Sequence, residues 1–278
     1  MFTYVNGQVM PNNEVRISPF DHGFLYGVGV FETFRTYNGT PFLLDEHLKR
    51  LNRSLQELQI NLSITSDEVQ DILKKLEKAN GWNNAYVRFN VSAGEGEIGL
   101  QTAPYQHPNI IVFQKQLAAA GPIAEKRGTW LQTRRNRPEG ESRLKSHHYL
   151  NNIFGKREAG SDPSIEGLFL TEDGFVAEGV VSNIFWAKER TLYTPALQTG
   201  ILNGVTRQFV MDLAKESGLH VKEGMYTPDE AESADEVFVT NSIQEIVPLQ
   251  ALGKKAFPGA AGKVVQHLFT QYRSAVRL

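Results

Sequence analysis

Four turn dipeptides set the outline of this chain. Asn6-Gly7, Asn38-Gly39, Asp173-Gly174 and Ser217-Gly218 each interrupt a run of strand or helix character, and Asn-Gly and Asp-Gly tolerate the positive φ that tight hairpins need. Around them lie short β-branched and aromatic runs. Phe2–Val5 and Gln8–Pro11 flank the first turn, Val30–Tyr37 precedes the second, and Ala85–Val91 and Asn109–Gln114 come later. Between these runs Leu44, Leu48, Leu51, Leu55 and Leu58 recur at steps of four and three, one apolar helix stripe. Thr65 with Glu68 reads as a capping box opening a second helix, whose buried face is Val69, Ile72, Leu73 and Leu76. This half predicts an α+β layer with helices over one side of an antiparallel sheet.

Beyond Leu117–Pro122, a stretch of small residues and Gly-Pro, the pattern starts again. Strands are predicted at Thr129–Thr133, at Gly167–Thr171 paired with Phe175–Glu178, at Asn183–Ala187, at Leu192–Thr194 and at Glu236–Thr240. Helices are predicted at Tyr149–Ala159, Thr206–Glu216 and Lys263–Val276. A length of 278 residues at roughly 100–200 per domain suits two domains. The expected division is a smaller N-terminal α+β domain at 1–115, a linker at 116–122 and a larger C-terminal domain at 123–278.

Composition narrows the chemistry. With 41% hydrophobic and 22% charged residues the chain is an ordinary globular one, and 29 basic against 31 acidic residues give −2, no electrostatic reason to expect nucleic acid or an acidic membrane. No run approaches the ~18 apolar residues of a membrane span, and the start MFTYVNGQV reads as a strand and not as a signal peptide. There are 0 cysteines, which removes disulfides, Cys–zinc sites, iron–sulfur clusters and thiol nucleophiles. Chemistry must come from Lys, Arg, His, carboxylates, hydroxyls or a borrowed cofactor.

Individual motifs leave two readings open. Gly94–Gly99 imitates a phosphate loop, but no helix follows, so it reads as a flexible loop. His147-His148 lacks the spaced ligands of a metal site and suits a pocket wall beside Lys145; no metal is expected. Arg134–Arg137 with Arg143 and Lys145 is either a solvated loop or a trap for an anion. Gly204-Val205-Thr206-Arg207 is either a common cap or a phosphate site at a helix N-terminus. Glu178, ending an apolar strand, pairs with an arginine or backbone N–H, or with a protonated heteroaromatic nitrogen.

In their order, these motifs resemble the fold-type IV pyridoxal-phosphate enzymes of the class IV aminotransferase family, over nearly the whole chain. The resemblance implies a two-domain α/β fold of α+β layers, like that of D-amino-acid transaminases, with pyridoxal 5'-phosphate as cofactor. Arg50, in Glu46-His47-Leu48-Lys49-Arg50-Leu51, looks like the phosphate-binding arginine. Lys145, in Arg143-Leu144-Lys145-Ser146, matches the catalytic Schiff-base lysine, carried by the larger domain. Glu178, in Glu178-Gly179-Val180-Val181-Ser182-Asn183, matches the partner of the pyridine nitrogen. The Val205 and Thr206 N–H groups match the phosphate cup, Ser242 in Thr240-Asn241-Ser242 a second phosphate-side loop, and Tyr149 a further cofactor contact.

Within the family, Phe31 stands where D-amino-acid transaminases carry tyrosine, and Ala93 where they carry arginine. Tyr86-Val87-Arg88 is similar to branched-chain aminotransferases. The segments 21–27, 135–140 and 145–152 resemble most the aminodeoxychorismate lyases of Bacillus type. That likeness implies a cytoplasmic homodimer turning 4-amino-4-deoxychorismate into 4-aminobenzoate and pyruvate for folate biosynthesis. Tyr26, Phe31, Arg88, Arg135, Arg137 and His147 are its implied substrate contacts. The alternatives are a branched-chain or D-amino-acid aminotransferase of the same fold, and a non-catalytic small-molecule binding protein.

Overall fold

The computed structural model describes residues 1–276. The described chain divides into two compact units, one of 1–121 with 144–148 and one of 122–143 with 149–276. Leu144–His148 thus groups with the first unit, although the expected division placed Lys145 in the second. The reason is backbone pairing: Phe31 N–H donates to the Lys145 carbonyl and His147 N–H to the Gly29 carbonyl, each at 2.9 Å. Leu144 also packs against the first unit's core.

In the first unit the strands are β1 (Phe2–Val5), β2 (Gln8–Pro11), β3 (Gly29–Tyr37), β4 (Thr40–Pro41), β5 (Ala85–Ser92) and β6 (Asn109–Gln116). They form one antiparallel sheet in the order β2-β1-β6-β5-β3-β4. Its helices are α1 (His22–Leu25), α2 (Leu44–Glu57) and α3 (Ser66–Asn80). The capping box forms as the spacing predicts, with Thr65 accepting from Glu68 N–H and the Glu68 carboxylate from Thr65 N–H. Leu48, Leu51 and Leu55 of α2, with Val69 and Leu76 of α3, pack in one core with Val30 and Phe34 of β3 and Val87, Phe89 and Val91 of β5. The pleat turns alternate residues, Phe31, Arg88 and Asn90 among them, to the other face.

In the second unit the strands are β7 (Lys126–Trp130), β8 (Ile165–Leu170), β9 (Val176–Gly179), β10 (Asn183–Lys188), β11 (Thr191–Pro195), β12 (His220–Gly224), β13 (Glu236–Asn241), β14 (Glu245–Leu252) and β15 (Lys255–Ala256). The sheet order is β12-β11-β10-β13-β14-β7-β8-β9, with β15 on β14. The β11–β12, β14–β7 and β7–β8 pairs are parallel. Its helices are α4 (Leu150–Ala159), α5 (Val205–Glu216), α6 (Pro228–Glu232) and α7 (Lys263–Val276). The strand expected at Thr129–Thr133 lies earlier, because Glu158 takes the Gln132 and Thr133 N–H groups at 2.5 and 2.9 Å and removes them from the ladder. β14 escapes prediction because it carries Pro248, a residue that argues against a strand interior. Among the described residues no helix is long and apolar enough to cross a membrane.

Candidate functional site

The expected site residues are divided between the two units. In the first unit the segment 145–147 lies against the start of β3, with Ser146 bridging Val30. Lys145 and His147, two residues apart on extended backbone, therefore share a face with Phe31. Phe31 is buried; the Lys145 Nζ lies 4.7 Å from its ring centroid and the Arg88 guanidinium carbon 3.6 Å. The Arg88 Nε donates to Asn90 Oδ1 at 3.0 Å, which holds the guanidinium over the ring.

His147 sits opposite Gly29 and stacks on Phe31 with ring centroids 6.3 Å apart. A side chain at position 29 would strike the His147 ring, and would approach the Val91 carbonyl at 2.8 Å. The His147 Nε2 is buried and has no hydrogen-bond partner. Burial first, then the Arg88 cation, pushes its pKa down to about 4, so the imidazole is neutral at physiological pH. Tyr26, also expected near substrate, is half-buried: its hydroxyl accepts the Gly99 N–H at 2.8 Å, and its carbonyl meets His148 Nε2 at 3.2 Å.

Arg50, on α2, is oriented by a residue that motif reading missed. Glu32 of β3 is 1% exposed and takes Arg50 Nε on one oxygen at 2.7 Å and Nη2 on the other at 2.6 Å. The His47 Nδ1 meets the second oxygen at 2.6 Å. Burial alone would push the Glu32 carboxyl up, but Arg50 and His47 outweigh it and hold its pKa at about 2. Burial likewise pushes the His47 imidazole down, against the attraction of Glu32. The only sequence signal for Glu32 is its place beside Phe31 on a strand that should alternate with apolar residues.

In the second unit Glu178, at 4% exposure on β9, accepts four approaches. Arg135 Nε donates to Oε1 at 2.8 Å; Leu202 N–H and Asn183 Nδ2 reach Oε2 at 2.9 and 3.3 Å; Arg143 Nε lies 3.8 Å from Oε1. Burial first, then the neighbouring Arg135, pushes the Arg143 pKa down to about 10, opposed by Glu178. Arg135, with Nη1 also on Asn151 Oδ1 at 2.6 Å, is thus the counter-ion of Glu178, where the resemblance implied a substrate contact. Arg137 is a surface group: it is 76% exposed, and its carboxylate neighbours are Glu172 and Asp173 at 4.0 and 3.7 Å. Tyr149 stands half-buried at the start of α4.

The same unit gathers polar groups at the start of α5. Gly204 caps α5 without a side-chain hydrogen bond, leaving the first-turn N–H groups of Val205 and Thr206 outside the helical ladder. The Thr206 and Ser242 hydroxyls lie 3.1 Å apart. Thr240, cross-strand from Asn183, is buried with an Oγ1 that has no hydrogen-bond partner. A Cβ on Gly204 would strike the Asn183 Oδ1. Oriented amides, two hydroxyls and a helix N-terminus suit a phosphate ester, and a buried carboxylate paired with arginine suits a protonated ring nitrogen. These groups of the second unit fit the phosphate and ring nitrogen of pyridoxal phosphate, and Lys145 of the first unit carries an amine of the kind its aldehyde takes.

Comparison with known proteins agrees with this chemistry. Residues 29–252 match the model of the family described as Amino-transferase class IV. The chain is 48% identical to the aminodeoxychorismate lyase of Bacillus subtilis (strain 168), over 99% of this chain and 94% of that protein. It is 31% identical to the D-alanine aminotransferase of Bacillus licheniformis, over 98% of this chain and 95% of that protein. Among solved structures it resembles the branched-chain aminotransferase of the thermophilic archaeon Thermoproteus uzoniensis with norvaline, with a TM-score of 0.87 and 26% identity, covering 99% of this chain and 94% of that one.

Proposed function

We propose, from the premise that the chain belongs to the class IV aminotransferase family, that it is a pyridoxal-phosphate-dependent lyase converting 4-amino-4-deoxychorismate to 4-aminobenzoate and pyruvate for folate biosynthesis. The observation that carries this reading is the 48% identity to the Bacillus subtilis lyase over 99% of the chain, against 31% to the D-alanine aminotransferase of Bacillus licheniformis. The proposal includes a cytoplasmic homodimer.

Pyridoxal phosphate, when bound, supplies the electron sink that stabilises negative charge on the amine-bearing ring carbon of the substrate. The Lys145 Nζ removes the proton from that carbon. The ether C–O bond on the neighbouring carbon breaks, the enolpyruvate leaves with the electron pair, and Lys145 returns a proton to it as it becomes pyruvate. The six-membered ring is then aromatic, so the step runs strongly downhill and the protein's task is orientation and proton control.

Glu178, with Arg135 and Arg143 holding the carboxylate in place, would accept the hydrogen bond of the ring nitrogen. The Val205 and Thr206 N–H groups and the Thr206 and Ser242 hydroxyls would hold the phosphate, and Arg50 of the first unit is the arginine that the family resemblance assigns to it. Arg88, fixed over Phe31, takes a substrate carboxylate. His147 stays neutral beside it and lines the same face.

The test is direct. Pure protein incubated with pyridoxal phosphate gains a visible absorption band, which Lys145→Ala abolishes, and with aminodeoxychorismate it produces fluorescent 4-aminobenzoate. A band without 4-aminobenzoate, together with amino transfer from branched-chain or D-amino acids to 2-oxoglutarate, makes the chain an aminotransferase. A colourless, inactive protein makes it a binding protein.

A further inference from the structure

Arg207 is the largest fully buried side chain among the described residues, at 0% exposure, and no role in the chemistry above uses it. It stands in the first turn of α5, directly after Thr206. Its guanidinium reaches back to the residues before α5 and forward to β12. Nη2 donates to the Pro195 carbonyl at 3.0 Å and to Glu223 Oε2 at 2.5 Å, and Nη1 to Asn203 Oδ1 at 3.3 Å. The same Asn203 oxygen accepts Gln208 Nε2 at 2.7 Å. The Arg207 Nε has no hydrogen-bond partner.

Pro195 ends β11 and Asn203 precedes the cap of α5, so one guanidinium closes the loop that joins them. That loop does two things for the site. Its Leu202 N–H donates to Glu178 at 2.9 Å while its Leu202 carbonyl takes Asn183 Nδ2 at 2.9 Å. It also delivers Gly204, behind which the Val205 and Thr206 amides are presented. The carboxylate partner, Glu223, is 41% exposed and such a pair adds little net stability, so stability alone does not account for a wholly buried arginine here. Fixed geometry does.

We propose that Arg207 is a positioning residue. Through the 195–204 loop it holds the phosphate-facing amides of α5 and the Leu202 N–H on Glu178 in one frame, so that phosphate grip and ring-nitrogen partner are set together. Its own donors are on Pro195, Asn203 and Glu223. The inference rests on reading Glu178 and the α5 amides as groups that bind pyridoxal phosphate. Glu223, 41% exposed on β12, is the accessible handle on the network.

The experiment uses wild type, Arg207→Lys, Arg207→Met and Glu223→Gln as apoprotein, titrated separately with pyridoxal phosphate and with pyridoxal. The ratio of the pyridoxal to the pyridoxal phosphate dissociation constant isolates the phosphate contribution, and the pH midpoint of the visible band, set by the imine at Lys145 and lowered by a protonated ring nitrogen, follows the Glu178 end. In Arg207→Met the ratio should fall by about tenfold, the scale of one disturbed hydrogen bond to a charged group, and the midpoint should move. Glu223→Gln should give a smaller change of the same sign, and Arg207→Lys should recover part of the ratio. A lower Tm with ratio and midpoint unchanged would reduce Arg207 to a structural residue and overturn the proposal. If Arg207→Met does not fold, an unchanged ratio in Glu223→Gln overturns it equally. Failure of wild type to bind pyridoxal phosphate would instead remove the cofactor reading itself, and this inference with it.

Discussion

Glu32 grips Arg50 with both carboxylate oxygens, Oε1 at 2.7 Å from Nε and Oε2 at 2.6 Å from Nη2, and so fixes the plane of the guanidinium assigned to the phosphate. Removing one partner of a buried pair leaves the other charge desolvated. Glu32→Ala should therefore destabilise the protein by about 3–5 kcal/mol and weaken pyridoxal phosphate binding. Urea denaturation and absorbance titration check the two effects. Unchanged cofactor affinity would mean that Arg50 needs no orientation by Glu32.

The pH dependence of stability follows from groups whose pKa is lower in the folded chain. His147 lies at about 4 against its usual 6.5, with Arg88, Asp21 and His148 as its charged neighbours, and the His47 imidazole is also pushed down. Glu32 lies at about 2 against 4.5. In each window the unfolded chain binds more protons, so stability rises with pH. It is complete above 6.5, falls as the histidines protonate on acidification, and falls again below 4.5 through Glu32. Melting curves between pH 8 and 4 should show this slope, and His147→Gln should flatten the part between 6.5 and 4.

At Glu178 the balance between pairing and desolvation can be separated. Arg135→Met strands a buried carboxylate and should cost several kcal/mol, about 3–5 by comparison with other broken buried pairs. The double variant Arg135→Met, Glu178→Gln removes both charges and should be more stable than Arg135→Met alone. Both should have low activity, the single variant because Glu178 keeps only the more distant Arg143 guanidinium and the double variant because no carboxylate remains. Thermal denaturation of the set gives the ordering; a double variant less stable than the single one would contradict it.

Gly29 makes room for the imidazole two residues after Lys145. Gly29→Ala would push a methyl group into the His147 ring and toward the Val91 carbonyl. The expected cost is about 1–3 kcal/mol, as for other overpacked sites. Because 145–147 pairs with β3 here, the visible band of bound cofactor should weaken as well. Calorimetry and absorbance on the one variant test both.

Arg88 is assigned to substrate and not to cofactor. Arg88→Met should raise KM for aminodeoxychorismate by about tenfold or more, the scale of a lost charge-assisted hydrogen bond, and leave pyridoxal phosphate affinity close to wild type. Steady-state kinetics beside a cofactor titration separate these. Loss of cofactor binding in this variant would move Arg88 into the cofactor site.

Local physics fixed much of this protein before any fold was known. The leucine spacing of α2, the Thr65–Glu68 box of α3 and the turn dipeptides act between neighbours in the chain, so the sequence displays them directly. The ordered motifs around Arg50, Lys145, Glu178 and Thr206 carried the family. Other elements were hidden by their own residues: Pro248 disguises β14, and the Glu158 carboxylate, not the 129–133 pattern, ends β7.

Only tertiary structure decided which charges meet. Glu32 finds Arg50 across 18 positions, Arg135 finds Glu178 across 43, and Arg207 finds Pro195 across 12. No periodicity records such pairs, because a guanidinium suits any carboxylate or carbonyl that packing brings within reach. The same packing turned Arg135 from an expected substrate ligand into a counter-ion, put Arg137 in solvent, and attached Lys145 to the sheet of the first unit. The sequence determined which groups are available; burial determined which of them hold a charge fixed, since only out of water does an ion pair need its partner at one place and angle.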